Sequence, residues 1–191
     1  MYENKYKNTK TTAFTDLETF LQLLADLGVE IELFALGGTA MVLKGIKEAT
    51  KDIDFLTTAS PHTIRELFLL AGLKEGNTSQ LCNTWFLRDI RIDIFYNQFI
   101  LGFPLPSDWR LLSEHSRTIG QLKLFILNWY DIIITKVARS ERRDIDDCLA
   151  IIKHEHIDFQ KLKKRYFTYA ETALISNFEY KFKHLEQRHT K

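Results

Sequence analysis

The sequence predicts a mixed α/β (α+β) protein, in which a sheet flanked by helices is followed by a helical region. Three observations carry this. Short apolar runs of strand length recur up to Leu127, bounded by glycine, proline or asparagine. Segments with apolar residues at helical spacing and recognisable caps lie between them. Beyond Asn128 only the helical pattern continues, so residues 1–127 read as an α/β core and 128–191 as a C-terminal helical region.

Taken in order, Thr15-Asp16-Leu17-Glu18 has the form of a capping box. It opens a helix with Leu17, Phe20, Leu21, Leu24 and Leu27 on one face and Gly28 as its stop. Ile31 to Leu36 reads as a strand, ended by Gly37-Gly38, and Thr39 to Leu43 begins a second helix. Ile53 to Leu56 is a strand. Ser60-Pro61 starts a helix with Ile64, Leu67, Phe68 and Ala71 on one side. Leu81 to Tyr96 alternates with period two, as one long strand or as a hairpin turning near Arg88-Asp89. Gly102 to Trp109 reads as a loop and Ile119 to Leu127 as a strand. Helices follow over Asp131 to Ala138, Arg143 to Lys153, and from near Asp158 towards the end.

Composition narrows the function. The chain has 191 residues, 45% of them hydrophobic, and a net charge of +1, which is the profile of a folded domain and not of a strongly basic nucleic-acid binder. Apolar runs such as Ile132-Ile133-Ile134 fall far short of the roughly 18 residues of a membrane span, so no membrane association is expected. MYENKYKNTKTT has no apolar centre of the signal-peptide kind. Cys82 and Cys148 lie far apart without a C-x-x-C partner, which points to a reducing cytoplasm and to two thiols acting as small buried hydrophobes. From Gln160 onward eight Lys/Arg face three Glu; this basic tail reads first as a solvated helix face and second as a phosphate-binding surface.

The chemistry concentrates in ALGGTAMVLKGIKEATKDIDF, Ala35 to Phe55. Asp52 and Asp54, two positions apart on a strand, project to the same face. Like charges held together are costly unless solvated or neutralised, and a divalent cation is the usual reason to hold them so. Asp93, on a later strand and facing away from Ile90, Ile92 and Ile94, is the natural third carboxylate. Three carboxylates on neighbouring strands suit Mg²⁺, a hard cation that prefers oxygen. Gly37-Gly38-Thr39, at a strand-to-helix turn, suits a phosphate. Backbone N–H groups without Cβ atoms can approach an anion, the helix start adds its positive dipole end, and the threonine hydroxyl adds a donor.

GGTAMVLKGIKEATKDIDF followed by RIDIF resembles the signature of the DNA polymerase β-like nucleotidyltransferase superfamily. Within it, the closest likeness is to small prokaryotic proteins related to the AbiEii toxins of abortive-infection and toxin–antitoxin systems. The likeness extends from Leu33 to Ile152 and includes ITKVARSERRDIDD, with Lys136 and the R-D-x-x-D element Arg143 to Asp147 in matching order. It implies a nucleotidyltransferase-fold sheet and transfer of a nucleoside monophosphate from a nucleoside triphosphate, ATP among them, to a hydroxyl. By the same likeness, Asp52, Asp54 and Asp93 are catalytic and hold two Mg²⁺ ions, for which Mn²⁺ can substitute. Gly37, Gly38 and Thr39 meet the nucleotide phosphates, Lys136 reaches the triphosphate, and Asp147 positions Lys136 or contacts the nucleotide. RNA (tRNA in particular), a protein hydroxyl or a small molecule serves as acceptor, with an antitoxin and a second copy of the chain as partners. The loop departs from the pattern in carrying Lys44, Lys47 and Lys51 where many relatives have arginine.

Two other classes compete. One is a nucleotide-binding regulator on the same fold without catalysis; the other is an RNA-binding protein acting through the basic tail. Haloacid-dehalogenase-type phosphatases fit less well, because Leu56 stands where they want Thr or Val. D-x-D glycosyltransferases need a larger domain. Elsewhere the residues read as structure. His154-Glu155-His156 lacks a third ligand, Trp85, Trp109 and Trp129 suit a core, and Tyr166, Tyr169, Phe178 and Phe182 pack the last helices or a dimer partner.

Overall fold

The computed structural model describes residues 11–190. The polar stretch at 1–10 and Lys191, at the end of the basic tail, lie outside the described residues. The chain forms two compact units, one running to Phe99 and resuming over Glu114–Ile126, the other made of Ile100–Ser113 and Leu127 onward.

In the first unit the elements are β1 (Thr12–Ala13), α1 (Phe14–Ala25), β2 (Ile31–Ala35), α2 (Gly37–Leu43), β3 (Ala49–Thr50), β4 (Ile53–Thr57), α3 (Pro61–Leu70), β5 (Lys74–Glu75), β6 (Cys82–Leu87) and β7 (Ile90–Phe95). The chain leaves this unit within β8 (Phe99–Ile100). After β9 (Phe103–Pro104) and α4 (Trp109–Leu112) it returns as β10 (Glu114–Ile119) and β11 (Leu122–Ile126). Seven strands form a mixed sheet in the order β10-β11-β2-β4-β7-β6-β5, while β1 and β3 pair separately.

Strand parity sorts the faces of this sheet. Phe55 and Ile53 of β4 register with Ile94 and Ile92 of β7, and Trp85 of β6 lies opposite Ile92, so these side chains share one face. That face is covered by helices: Phe20 of α1 stacks on Phe55 and meets Phe68 of α3 edge-on, and Phe68 in turn meets Trp85. All seven of these side chains are fully buried. The alternate residues, Asp54 and Leu56 of β4 with Asp93 and Phe95 of β7, therefore stand on the opposite face. A register slip of one residue would turn the carboxylates into the helix-covered core.

Several local expectations change form. The first helix begins at Phe14, two residues before Asp16, and the Ala13 N–H donates to the Asp16 carboxylate at 3.0 Å. Asp16, and not the Thr15/Glu18 pair, caps it. The alternation from Leu81 to Tyr96 resolves as the β6–β7 hairpin, with Arg88 at φ 54° in its turn. The strand expected over Ile119 to Leu127 is β11, and it closes a second hairpin with the preceding polar strand β10, folded at Gly120 (φ 56°). The segment expected as a loop from Gly102 holds β9 and leads into α4. Ser60 caps α3 as expected, accepting from the Thr63 N–H at 3.0 Å.

The second unit contains α5 (Trp129–Arg139), α6 (Arg142–His154), α7 (Phe159–Thr172) and α8 (Phe178–His189), with α4 and β9. Helix α5 packs against α6, α7 and α8. Tyr166 and Phe167 of α7 meet Phe182 of α8 in an aromatic cluster, and the Tyr166 hydroxyl donates to the Phe178 carbonyl at 3.0 Å. The long helical stretch expected beyond Asp158 is thus two helices, broken where Leu174 and Asn177 adopt positive φ. Trp85, Trp109 and Trp129 are all buried.

Gly38 is fixed by space. A Cβ there would stand 2.1 Å from Thr50 Oγ1 and 2.9 Å from Thr50 Cβ. Gly38→Ala must therefore push α2 and β3 apart, and a loss of about 1–3 kcal/mol is expected in urea unfolding, as for overpacked sites generally; an unchanged midpoint would refute the contact.

Candidate active site

Asp54 and Asp93 are direct partners in the parallel β4–β7 ladder. Asp52 immediately precedes β4, and one carboxylate oxygen from each of Asp52, Asp54 and Asp93 lies within 4.8 Å of the others. Asp93 is buried, while Asp52 and Asp54 are half-buried. Among the described residues this is the only such group of three or more His, Cys, Asp or Glu. His154 instead pairs with its neighbour Glu155 at 3.0 Å.

Two residues that sequence reasoning left out hold Asp93. Thr84, its partner across the hairpin, donates to Oδ1 at 2.7 Å. Arg91, two positions back on β7, grips both oxygens, with Nε to Oδ1 at 3.1 Å and Nη2 to Oδ2 at 2.8 Å. Such a fork fixes the plane of the carboxylate and offsets part of the charge gathered there. The period-two position of Arg91 was a readable signal; the place of Thr84 required the hairpin register.

The glycine turn is built against the same carboxylates. Gly37 has φ 56°, and a Cβ on it would lie 3.3 Å from Asp54 Oδ2, so both conformation and proximity favour glycine. Thr39 is fully buried, and its hydroxyl is taken up by the strand: it accepts from the Asp54 N–H at 2.8 Å and reaches the Asp52 carbonyl at 3.5 Å. The threonine side chain thus ties α2 to the two aspartates, and what the turn can offer an anion is its backbone.

Lys136 and Asp147 belong to the second unit. Lys136 Nζ lies 2.7 Å from Asp147 Oδ2 and 3.7 Å from Asp144 Oδ1, and Asp144 is held by Arg139 through two bonds of 2.6 and 2.9 Å. Lys136, Asp144 and Asp147 are all buried, which makes the network a tie between α5 and α6.

Cys82 is half-buried, unlike the fully buried Cys148. Burial first, and then the charges of Asp93 and Asp54, push its thiol up to about 12. The negative field of the carboxylates is thereby felt on the neighbouring strand.

The chemistry of the donor set fits a hard divalent cation: the ligands are all carboxylate oxygens, gathered on one face. A mixed sheet that brings such a triad beside a glycine turn defines a nucleotidyltransferase. The chain belongs to the family described as nucleotidyltransferase of unknown function (DUF6036), whose model matches residues 12–191. No curated protein matches the chain in sequence. Among solved structures it is similar to the antibiotic-resistance factor ANT(2'')-Ia, at 12% identity, with a TM-score of 0.62 over 94% of this chain and 99% of that one. A crystal structure of ANT(2'')-Ia in complex with adenylyl-2''-tobramycin gives 12% identity and a TM-score of 0.61 over 83% and 98%. An antigenic nucleotidyltransferase-like protein from Paracoccidioides brasiliensis shares 17% identity, with a TM-score of 0.50 over 75% and 78%. These likenesses bear on the fold.

Two measurements test this geometry. Lys136→Ala removes a buried cation from beside Asp147 and Asp144 and should cost roughly 3–5 kcal/mol of stability, read from denaturant unfolding; a loss below 1 kcal/mol would mean the pair is not buried as described. With the thiol pKa raised to about 12, iodoacetamide at pH 8 should alkylate Cys82 at least about a hundredfold more slowly than an unhindered cysteine, until denaturant is added. Mass mapping of the label checks this.

Proposed function

We propose that this nucleotidyltransferase moves a nucleoside monophosphate from a triphosphate to a hydroxyl acceptor, with Asp52, Asp54 and Asp93 as its catalytic and metal-holding residues. The observation that carries the reading is the convergence of the three carboxylates on the face of the sheet opposite the helices. When bound there, two divalent cations, Mg²⁺ or Mn²⁺, would supply charge neutralisation for the triphosphate and acidify the acceptor hydroxyl.

The rest belongs to the chain. The acceptor oxygen bonds to the α-phosphorus as the bond to the β-phosphate oxygen breaks, and pyrophosphate leaves. The Asp93 carboxylate, held in one plane by Arg91 and Thr84, accepts the proton of the acceptor hydroxyl. Asp54 is held in place by the backbone bond from its N–H to Thr39. Gly37 and Gly38 present backbone to the phosphates, in a turn where a Cβ on Gly37 would stand 3.3 Å from the Asp54 carboxylate and one on Gly38 would drive into Thr50. Lys136 and Asp147 keep the nucleotide roles that the superfamily resemblance gives them, with residues 1–127 as catalytic core and 128–191 as helical region. Such catalysis is mainly positioning and charge stabilisation.

For the acceptor, RNA and a protein hydroxyl remain the candidates from the AbiEii resemblance, together with a toxin role restrained by an antitoxin. The adenylylated tobramycin seen with ANT(2'')-Ia supports the third acceptor expected from the sequence, a small-molecule hydroxyl. The basic tail supports RNA less than its charge count suggests. Lys163 pairs with Glu186, Arg165 with Asp108 and Asp131, and Arg188 with Asp146, and Lys181 donates to the Ala138 carbonyl.

The test is transfer of label from each α-labelled nucleoside triphosphate, with Mg²⁺, to total RNA, protein and small metabolites. Asp54→Asn should leave the fold intact and abolish transfer, by at least about a thousandfold on the scale of lost electrostatic stabilisation. Full transfer in that variant would remove Asp54 from the mechanism. No transfer from protein shown to bind Mg²⁺ and triphosphate would replace the enzyme reading with that of a regulator.

A further inference from the structure

A second concavity lies wholly within the helical unit and away from the residues assigned above. It has a volume of about 880 Å³, within the range of small-molecule sites. One wall is a single face of α7: Lys164 and Arg165 lie three and four residues after Lys161, and Thr168 and Tyr169 three and four after Arg165. The other wall is the segment Pro104 to Asp108 with Tyr130 of α5.

The walls are apolar with a cationic edge. Leu105 and Tyr169 are buried and, with Pro104 and Pro106, supply a largely apolar lining. Arg165 is fixed as a structural member: it bonds Asp131 at 2.7 and 2.9 Å and Asp108 at 2.8 and 3.0 Å, so its charge is offset twice. Burial raises the Asp131 carboxyl above its ordinary range, while the Arg165 hydrogen bond lowers that of Asp108. Lys161 and Lys164 are the remaining charges of the lining, and both are exposed. Lys161 reaches only Asp158, at 3.8 Å. One polar group is unmatched: Tyr169 is 6% exposed and its hydroxyl has no hydrogen-bond partner among the described residues.

We propose that this cavity binds a small organic anion, a molecule with an apolar body and one carboxylate, sulfonate or phosphate group. The body lies between the α7 face and the opposite wall of Tyr130 and the Pro104–Pro106 segment, and the anionic group meets Lys161 and Lys164. A polycation would face these lysines with like charge and is excluded on that ground. The proposal does not depend on the assignment of the carboxylate triad.

The probe is anilinonaphthalene sulfonate, an aromatic body carrying one anion, titrated against the whole protein by fluorescence, with its uncharged relative phenylnaphthylamine as control. Saturable binding of one dye per chain is expected. Lys161→Glu with Lys164→Glu should weaken it by roughly tenfold or more, which corresponds to about 1.4 kcal/mol, and should change the uncharged dye far less. Both substitutions sit at exposed positions in the first turns of α7, where acidic side chains are tolerated, and circular dichroism will confirm that the helices persist. Lys183→Glu, exposed and away from the lining, should leave binding unchanged. Competition by decanoate points to an aliphatic carboxylate, and competition by a nucleoside monophosphate to an aromatic phosphate. Binding that ignores the lysine pair, responds equally to Lys183→Glu, or fails to saturate would overturn the proposal.

Discussion

The structure depends on holding three carboxylates together. At an effective dielectric near 20, two unit charges about 4.8 Å apart repel by roughly 3 kcal/mol. The fold meets this cost with backbone and with the Arg91 guanidinium. Parallel pairing of β4 with β7 places Asp54 beside Asp93, and a carboxylate on a central strand cannot retreat without breaking the ladder. Arg91 then binds Asp93 through both oxygens, with Thr84 as a third contact. The rest of the first unit is arranged around that pair.

The glycine turn belongs to the same device. Gly38 lets α2 press against Thr50, and Gly37 lies beside the Asp54 carboxylate. Thr39 links the start of α2 to the backbone of Asp52 and Asp54. Changing any of these residues moves the aspartates, so the phosphate-facing backbone and the metal-facing side chains are mechanically one element. Residues of little chemical reactivity therefore hold the geometry that the reactive ones need.

The helical unit is organised by buried charge of a different kind. Arg139, Lys136, Asp144 and Asp147 tie α5 to α6, and Arg165 ties α7 to α5 and to the segment after β9. Buried pairs of this kind add little net stability against an apolar alternative, but removing one partner is severe. They fix helix register, and in the case of Arg165 they also form the wall of a cavity. Charges counted in the sequence as a basic tail are in good part consumed this way.

Much of the site was legible because its signals are local. A D-x-D pair on a strand must share a face, a glycine pair at a strand end marks a turn, and Asp93 alternates with three isoleucines; each follows from the two-residue period of a strand or from the absence of a Cβ. What escaped was whatever depended on partners distant in the chain. Thr84 was invisible until the hairpin settled at Arg88, and the bonds of the Thr39 hydroxyl to the backbone of Asp52 and Asp54 were unreadable because those atoms lie across a helix and a loop. The second hairpin at Gly120 was hidden because its first strand, Glu114–Ile119, is almost wholly polar, and the break between α7 and α8 because apolar residues run on through Ala173-Leu174-Ile175. The sequence by itself thus determined the residue types, their faces and the class of chemistry. The tertiary structure decided which atoms meet, since hydrogen-bond partners and close approaches arise from strand register and packing, which no local pattern encodes.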